Sequence, residues 1–263
     1  MPKVDLEGVR INYELHGEGE PIVLITGLGG EIAFWKKYIP LLSKKHQVLV
    51  LDNRGAGETE YPSTLFTMRT IADDIVHLMD HLGMEKAHVL GWSMGGNVAQ
   101  EIAINYGDRV PSLVLMSTYA RRPERSAFAI ETMIRTVDEG ATFDSLMEQM
   151  QSWCLPEDYF RKLALAKPAQ RRNNGNGKRA AEGFRGQKLA LDLFDSHERL
   201  GDVASPTFIL HGDEDIMVAP HFATELQTLI DDAELEWIPG AGHIIPADKC
   251  CPQIMQFLER HPF

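Results

Sequence analysis

The amino-acid sequence predicts an α/β fold, a mostly parallel sheet covered by helices on both faces. Three observations lead there. Short continuous apolar runs at residues 22–25, 47–51, 87–90 and 113–116 read as strands buried on both faces, because a strand with one wet face would alternate. Segments with helical spacing separate these runs, as the crossovers of a parallel sheet require. Glycine-rich loops leave the carboxyl ends of three of the runs, where open parallel sheets form their binding crevice. With 263 residues, 44% of them hydrophobic, the chain can bury a full core as one large domain or as a domain carrying an insertion.

Taken in order, residues 9–16 alternate apolar and polar side chains like a half-exposed strand, and Gly17-Glu18-Gly19-Glu20-Pro21 turns the chain, so the sheet begins antiparallel. The run 22–25 enters Thr26-Gly27-Leu28-Gly29-Gly30. A short helix is expected over 35–42, after which the strand 47–51 leads into Asp52-Asn53-Arg54-Gly55-Ala56-Gly57. Ile71, Ile75, Leu78, Met79 and Leu82 share one face of a helix over 70–82. The strand 87–90 runs into Gly91-Trp92-Ser93-Met94-Gly95-Gly96, and a helix over 97–106 follows at once.

Beyond the strand 113–116 the rhythm changes. Residues 120–202 contain no buried-strand run but show helical stretches at 125–139, 143–150, 157–166 and 180–195, and read as a helical cap inserted between core segments 1–119 and 203–263. Its apolar residues, Phe128 and Phe184 among them, are expected mostly to pack it on the core, with a minority lining a pocket. Within it the basic run 171–179 reads as a solvated connector rather than an anion site, because its Asn and Gly residues favour turns. A strand over 207–210, a helix over 220–230, a strand over 235–238 and a final helix with Ile254, Phe257 and Leu258 inward complete the α/β pattern.

The formal net charge of -12 argues against nucleic acid and anionic membrane surfaces, both of which reward clustered Lys and Arg. The first residues, Met-Pro-Lys-Val-Asp-Leu-Glu, lack the basic start and apolar core of a signal peptide, and no apolar run approaches the roughly 20 residues that cross a bilayer. A soluble, cytoplasmic protein is expected, with monomer and dimer both compatible. Cys154, Cys250 and Cys251 lack metal or disulfide spacing and read as reduced, buried thiols.

Gly91-Trp92-Ser93-Met94-Gly95 is a Gly-x-Ser-x-Gly pattern between a strand and a helix, a context in which the serine hydroxyl is pushed clear of the sheet. Serine holds its proton too tightly to attack a carbonyl unaided, so it needs a neighbouring base and an acid that orients the base. Asp215 and His243, each following a later strand, supply them in the order Ser, acid, His. Asp213 is the rival acid. It lies nearer the strand end, where turning or capping the loop suits it better, and Asp215 is preferred. The cluster of His211, Asp213, Glu214 and Asp215 could also be drawn as metal ligands, but hard-metal loops bring more oxygen donors from further along the chain, so no metal is expected. The backbone N–H groups of Leu28 and Met94 are positioned for an oxyanion hole, leaving their side chains free for substrate.

Five motifs together, Thr26 to Gly30, Asp52 to Gly57, Gly91 to Gly96, His211-Gly212-Asp213-Glu214-Asp215 and Gly240-Ala241-Gly242-His243, resemble the α/β-hydrolase superfamily over nearly the whole chain. The resemblance implies an eight-stranded core, a helical cap after the sixth strand, and Asp215 rather than Asp213 as the acid. Thr26 departs from it, standing where many relatives have His before the oxyanion glycine. Serine at position 93 is unlike the carboxylate nucleophile of the dehalogenase and epoxide-hydrolase branches.

The expected activity is cofactor-independent hydrolysis of a small or medium carboxylic ester through an acyl-enzyme, with Trp35 and Trp92 near the substrate. A lactonase of the enol-lactone or acyl-homoserine-lactone type, a carbon–carbon bond hydrolase and a perhydrolase are alternatives, since fold does not choose among them. A ligand sensor that keeps the triad is the alternative of another class.

Overall fold

The computed structural model describes residues 2–62, 65–164 and 177–263. Strands β1 (Lys3–Leu6), β2 (Val9–His16), β3 (Glu20–Ile25), β4 (His46–Leu51), β5 (His88–Trp92), β6 (Leu113–Met116), β7 (Thr207–Gly212) and β8 (Glu234–Ile238) form one sheet in the order β1-β2-β4-β3-β5-β6-β7-β8. β2 pairs antiparallel with β1 and β4, and every later pairing is parallel. The sheet is therefore the α/β-hydrolase arrangement expected from the motifs.

Strand alternation divides the core into two layers. Ile22, Leu24, Val48, Val50 and Leu90 face helices α1 (Ile39–Leu42) and α9 (Ala247–Glu259), while Val23, Ile25, Leu49, Leu51 and Val89 face α2 (Met68–His81) and α3 (Met94–Asn105). α2 begins on a reciprocal cap between Thr67 and Thr70, each hydroxyl accepting the other's backbone N–H at 3.2 Å, and buries Ile71, Ile75, Leu78 and Met79. α8 (His221–Leu229) adds Ala223 and Leu226 to the same side.

Between β6 and β7 come α4 (Glu124–Asp138), α5 (Phe143–Cys154), α6 (Glu157–Ala164) and α7 (Gly177–Asp192). Their inward residues, including Ile130, Met133, Leu146 and Phe184, join the α2–α3 layer rather than forming a core of their own. Phe128, expected to pack, is 74% exposed on the outer face of α4. Most of the basic run 171–179 lies outside the described residues.

Two elements differ from the sequence reading. β1 pairs with β2 through the two-residue turn Glu7-Gly8, both at positive φ (44° and 83°), a hairpin signal too short to stand out. The helix expected over 35–42 is a 3-10 turn at Ile32–Lys37 followed by α1, because Pro40 cannot donate into a continuous helix and sits instead in the first turn of a new one. The three cysteines are buried and unbridged. No described helix is long and apolar enough to cross a membrane.

The loop after β4 is locked from below. Arg54 donates two hydrogen bonds to Asp74 of α2, at 2.8 and 2.7 Å, with both side chains under 10% exposed. Burial raises the Asp74 carboxyl and the guanidinium pulls against it. Arg54→Met would leave a buried carboxylate without its partner, and a loss of about 3–5 kcal/mol is expected in chemical denaturation. The double change Arg54→Met with Asp74→Leu should recover most of that loss; a double variant no more stable than the single one would show that the pair is not what holds the loop.

Candidate active site

Ser93 stands between β5 and α3 at φ 56°, ψ −122°, a backbone region that side-chain-bearing residues rarely enter. Close approach on three sides enforces it. A Cβ on Gly91 would lie 2.2 Å from the Gly95 carbonyl oxygen, and one on Gly95 would lie 2.1 Å from that of Ile25. A Cβ on Gly96 would meet the Thr118 side chain at 2.5 Å. The helix thus starts hard against β3, and the hydroxyl of Ser93 points away from the crowding.

That hydroxyl meets the residue expected to be its base. Ser93 Oγ lies 2.8 Å from His243 Nε2, and His243 Nδ1 lies 2.8 Å from Asp215 Oδ2. A carboxylate can only accept, so Nδ1 carries the proton and Nε2 offers a lone pair to the serine O–H. The Asp215 side chain is fully buried, and its other oxygen accepts the backbone N–H groups of Met217 and Val218 at 2.9 Å each. Asp213 instead accepts the Gly240 N–H at 2.7 Å, which fastens the loop carrying His243. His211 Nε2 donates to the Val218 carbonyl at 2.9 Å and lies 3.4 Å from Asp215. Burial holds the His211 ring below the usual imidazole range, so it stays neutral beside Asp215.

Leu28 and Met94 flank the serine. Gly30 N–H donates to the Gly27 carbonyl at 3.0 Å, closing a turn with Gly29 at φ 68°, and the half-buried Leu28 occupies its corner. A Cβ on Gly27 would lie 3.1 Å from the Ser93 Cβ, which brings this turn against Ser93. Met94 opens α3, where backbone N–H groups lack intrahelical acceptors. The Met94 side chain, expected to be free for substrate, is buried in the α2–α3 layer because it begins the helix facing the sheet. Leu28 does border the cavity beside Ser93.

Thr26 uses its hydroxyl to donate to the Gly30 carbonyl at 3.1 Å, and Asn53 donates to the Thr26 carbonyl at 3.0 Å. A second brace comes from α7, which no linear motif connects to the glycine loops. Gln187, fully buried, accepts the Gly29 N–H and donates to the Arg54 carbonyl, each at 2.8 Å. It joins two glycine loops that no linear motif connects to residue 187. The one usable signal was Gly183 and Gly186 beside it, since a Cβ on Gly183 would lie 2.0 Å from the Gly55 carbonyl oxygen and marks α7 as packed backbone to backbone.

The cavity at Ser93 and His243 has a volume of about 40 Å³. Leu28 and Trp92 border it from the strand ends, with Ile130 of α4, Met150 of α5, Leu191 of α7 and Met217 opposite. None of its described lining residues is Lys or Arg. Cys154 also lines it, but burial and then the Asp215 charge push that thiol up to about 12, so it is no rival nucleophile. Trp92 donates its indole N–H to the His243 carbonyl at 2.9 Å. Trp35, expected near substrate, is fully buried in the α1–α9 layer, edge-on to Phe34 and Tyr38. Its turn follows the glycine loop but folds under the sheet, so Trp35 is a packing residue. A larger cavity of about 370 Å³ lies along Gly29, Gly30, Phe34, Tyr61 and Arg179, and neither Ser93 nor His243 lines it.

A sequence-family model described as the alpha/beta hydrolase fold matches residues 20–249. A protein of Azorhizobium caulinodans assigned as the carbamate hydrolase RutD is 29% identical over 253 residues, spanning 94% of this chain and 93% of its own. A thermophilic esterase from Thermogutta terrifontis superposes with a TM-score of 0.84 at 26% identity over 100% of both chains. An enol-lactonase from Burkholderia xenovorans LB400 does so with a TM-score of 0.84 at 25% identity, over 98% of this chain and 100% of its own.

Gln187→Met keeps the shape of the side chain but strands the Gly29 N–H and the Arg54 carbonyl. Turnover of an activated ester should fall about tenfold, less than the roughly 10²–10³ of a lost oxyanion donor, with the main effect in kcat. Gln187→Glu, which keeps the acceptor, should lie between. Steady-state kinetics check this, and wild-type kcat in the Met variant would contradict it.

Proposed function

We propose that this chain, which belongs to the α/β-hydrolase fold family, is a serine hydrolase that cleaves a small carboxylic ester through an acyl-enzyme. The observation that carries the reading is the pair of 2.8 Å hydrogen bonds linking Ser93, His243 and Asp215 beside a small apolar cavity.

In this mechanism Ser93 Oγ attacks the ester carbonyl carbon while its proton moves to His243 Nε2. The carbonyl oxygen becomes an oxyanion facing the N–H groups of Leu28 and Met94, and Asp215 stabilises the imidazolium and fixes its orientation. Collapse expels the alcohol, protonated by His243, and leaves the acyl group on Ser93. Water then repeats the attack, with His243 as base, and releases the acid. Every proton stays within Ser93, His243, substrate and water, so the cycle requires no cofactor. Residues 120–202 serve as a cap over the core of 1–119 and 203–263, supplying the outer wall of the acyl pocket.

The cavity supports a small acyl group, since it is narrow, about 40 Å³, and its wall is mostly apolar. A second reading, carbamate hydrolysis, is favoured by the relatives assigned as RutD. An ionised carbamate would meet no Lys or Arg among the described lining residues, so the ester reading takes precedence.

Two outcomes are expected. Ser93→Ala should lower kcat/KM for p-nitrophenyl acetate by about 10⁴-fold or more without loss of folding, and a near wild-type rate would sink the assignment. Across acetate, butyrate and longer p-nitrophenyl esters, lactones and carbamate esters, kcat/KM should be greatest for the shortest acyl chains. Leu191→Ala should then raise the butyrate-to-acetate ratio about tenfold. A wild-type preference for long chains, or for carbamates over acetate, would replace the small-ester reading.

A further inference from the structure

At the end of the sheet opposite Ser93, the first residues of three adjacent strands, Glu20 of β3, His46 of β4 and His88 of β5, come together. Glu20 is in register with His46, and Ile22 with His88. Side chains two residues apart share a face of a strand, so all three project onto the α9 side. One ligand-type atom from each lies within 4.8 Å of the others.

His46 is arranged as an unfilled acceptor, and His88 presents a second buried nitrogen toward the same point. His46 Nδ1 is 3.3 Å from the Glu20 carbonyl oxygen, which can only accept, so Nδ1 carries the proton and Nε2 a lone pair. That Nε2 is buried without a hydrogen-bond partner. His88 Nδ1 is 2.8 Å from Ser112 Oγ, a hydroxyl that can donate to it or accept from it, and its Nε2 is buried with no hydrogen bond within 3.5 Å. His88 Nε2 and Glu20 Oε2 are 3.6 Å apart. This is long for a hydrogen bond but close to the edge, about 3.3 Å, of a tetrahedron with metal–nitrogen bonds of about 2.0–2.1 Å.

Each candidate ligand is anchored through its other polar atom. Beyond the two Nδ1 contacts, the Phe263 N–H donates to Glu20 Oε1 at 2.9 Å, leaving Oε2 toward His88. Such outer support is what orients metal-binding imidazoles and carboxylates. Burial, then the neighbouring His46, lowers His88 to about 4, and burial lowers His46, so both rings hold the neutral form that ligates metals. Leaving the buried His46 Nε2 unpaired and the His88 Nε2 with only a long contact to Glu20 is costly, and the reaction at Ser93 gives no reason for it.

We propose that Glu20, His46 and His88 bind a divalent transition-metal ion of the Zn²⁺ class, clipping together the starts of β3, β4 and β5. Two imidazoles and one carboxylate suit Zn²⁺ and disfavour Mg²⁺ and Ca²⁺, which select oxygen. Entry is from the Glu20 side, where that side chain is 33% exposed. No sequence spacing announces the set, because residues 20, 46 and 88 meet only through parallel register. The sequence reading accordingly expected no metal.

The test uses full-length protein without a polyhistidine tag, stripped with chelator and titrated with ZnCl₂ by calorimetry and with CoCl₂ by visible absorption. Saturable binding of one Zn²⁺ is expected, with Co²⁺ bands of a four- or five-coordinate ion. Glu20→Gln, at a partly exposed position, and His46→Gln should each weaken Zn²⁺ by about 100-fold or more, since even outer-shell changes cost 10–100-fold. His81→Gln, a change at an exposed histidine, should bind like wild type. Hydrolysis at Ser93 should be untouched by Glu20→Gln, so this site and the reading of Ser93 fail separately. Absence of saturable Zn²⁺ binding in the wild type, or undiminished binding in Glu20→Gln, would overturn the site even if His46→Gln does not fold.

Discussion

The backbone of Ser93, at φ 56° and ψ −122°, is the constraint on which the rest of the site depends. Such a conformation costs about 1–3 kcal/mol and persists only where the surroundings over-determine it. Here they do so through three glycines, because α3 begins in contact with the carbonyl oxygens at the end of β3 and with Thr118 beyond β6. The same contact that strains Ser93 brings the Gly27–Gly30 turn against it. The parallel pairing of β6, β7 and β8 beyond β5 then delivers Asp215 and His243 to the same end of the sheet. Local strain, loop placement and residue order are thus consequences of one packing arrangement.

The helices between β6 and β7 contribute to the site as well as covering it. α7 lies backbone to backbone on the Arg54–Gly57 loop, and Gln187 reaches through to the Gly29 N–H. Arg54, whose carbonyl Gln187 also holds, is fastened on its other side by Asp74 of α2. A continuous path of hydrogen bonds, buried up to its last link at Gly29, therefore runs from α2 to the turn proposed to hold the oxyanion. Rigidity there is useful, because donors aimed at a developing charge act best when nothing has to reorganise. The apolar side chains of α4, α5 and α7 wall the cavity beside Ser93, and in the proposed mechanism the choice among ester, lactone and carbamate rests on those walls rather than on Ser93.

Much of this was legible in the sequence because it is written in local patterns. Continuous apolar runs located β3 to β7, and glycines around Ser93 and at 26–30 marked the turns where only a small residue fits. Asp215 and His243 could be selected by their order and by the strands they follow. What depends on partners distant in sequence was hidden. Trp35 looked like a substrate contact because it follows a glycine loop, yet packing beneath the sheet claims it. Gln187 acts on Gly29 across 158 positions, and Glu20, His46 and His88 meet through strand register alone. The Glu7-Gly8 hairpin is hard to read from sequence because two residues of turn signal carry little weight by themselves.

The central claim, that Ser93 is the nucleophile of a covalent mechanism, is tested most directly by reacting the protein with a fluorophosphonate probe and mapping the adduct by mass spectrometry. The account predicts a single covalent adduct on Ser93 that is lost in Ser93→Ala and blocked by prior turnover with a slow ester. No adduct, or one placed on another residue while Ser93 stays unmodified, would contradict it.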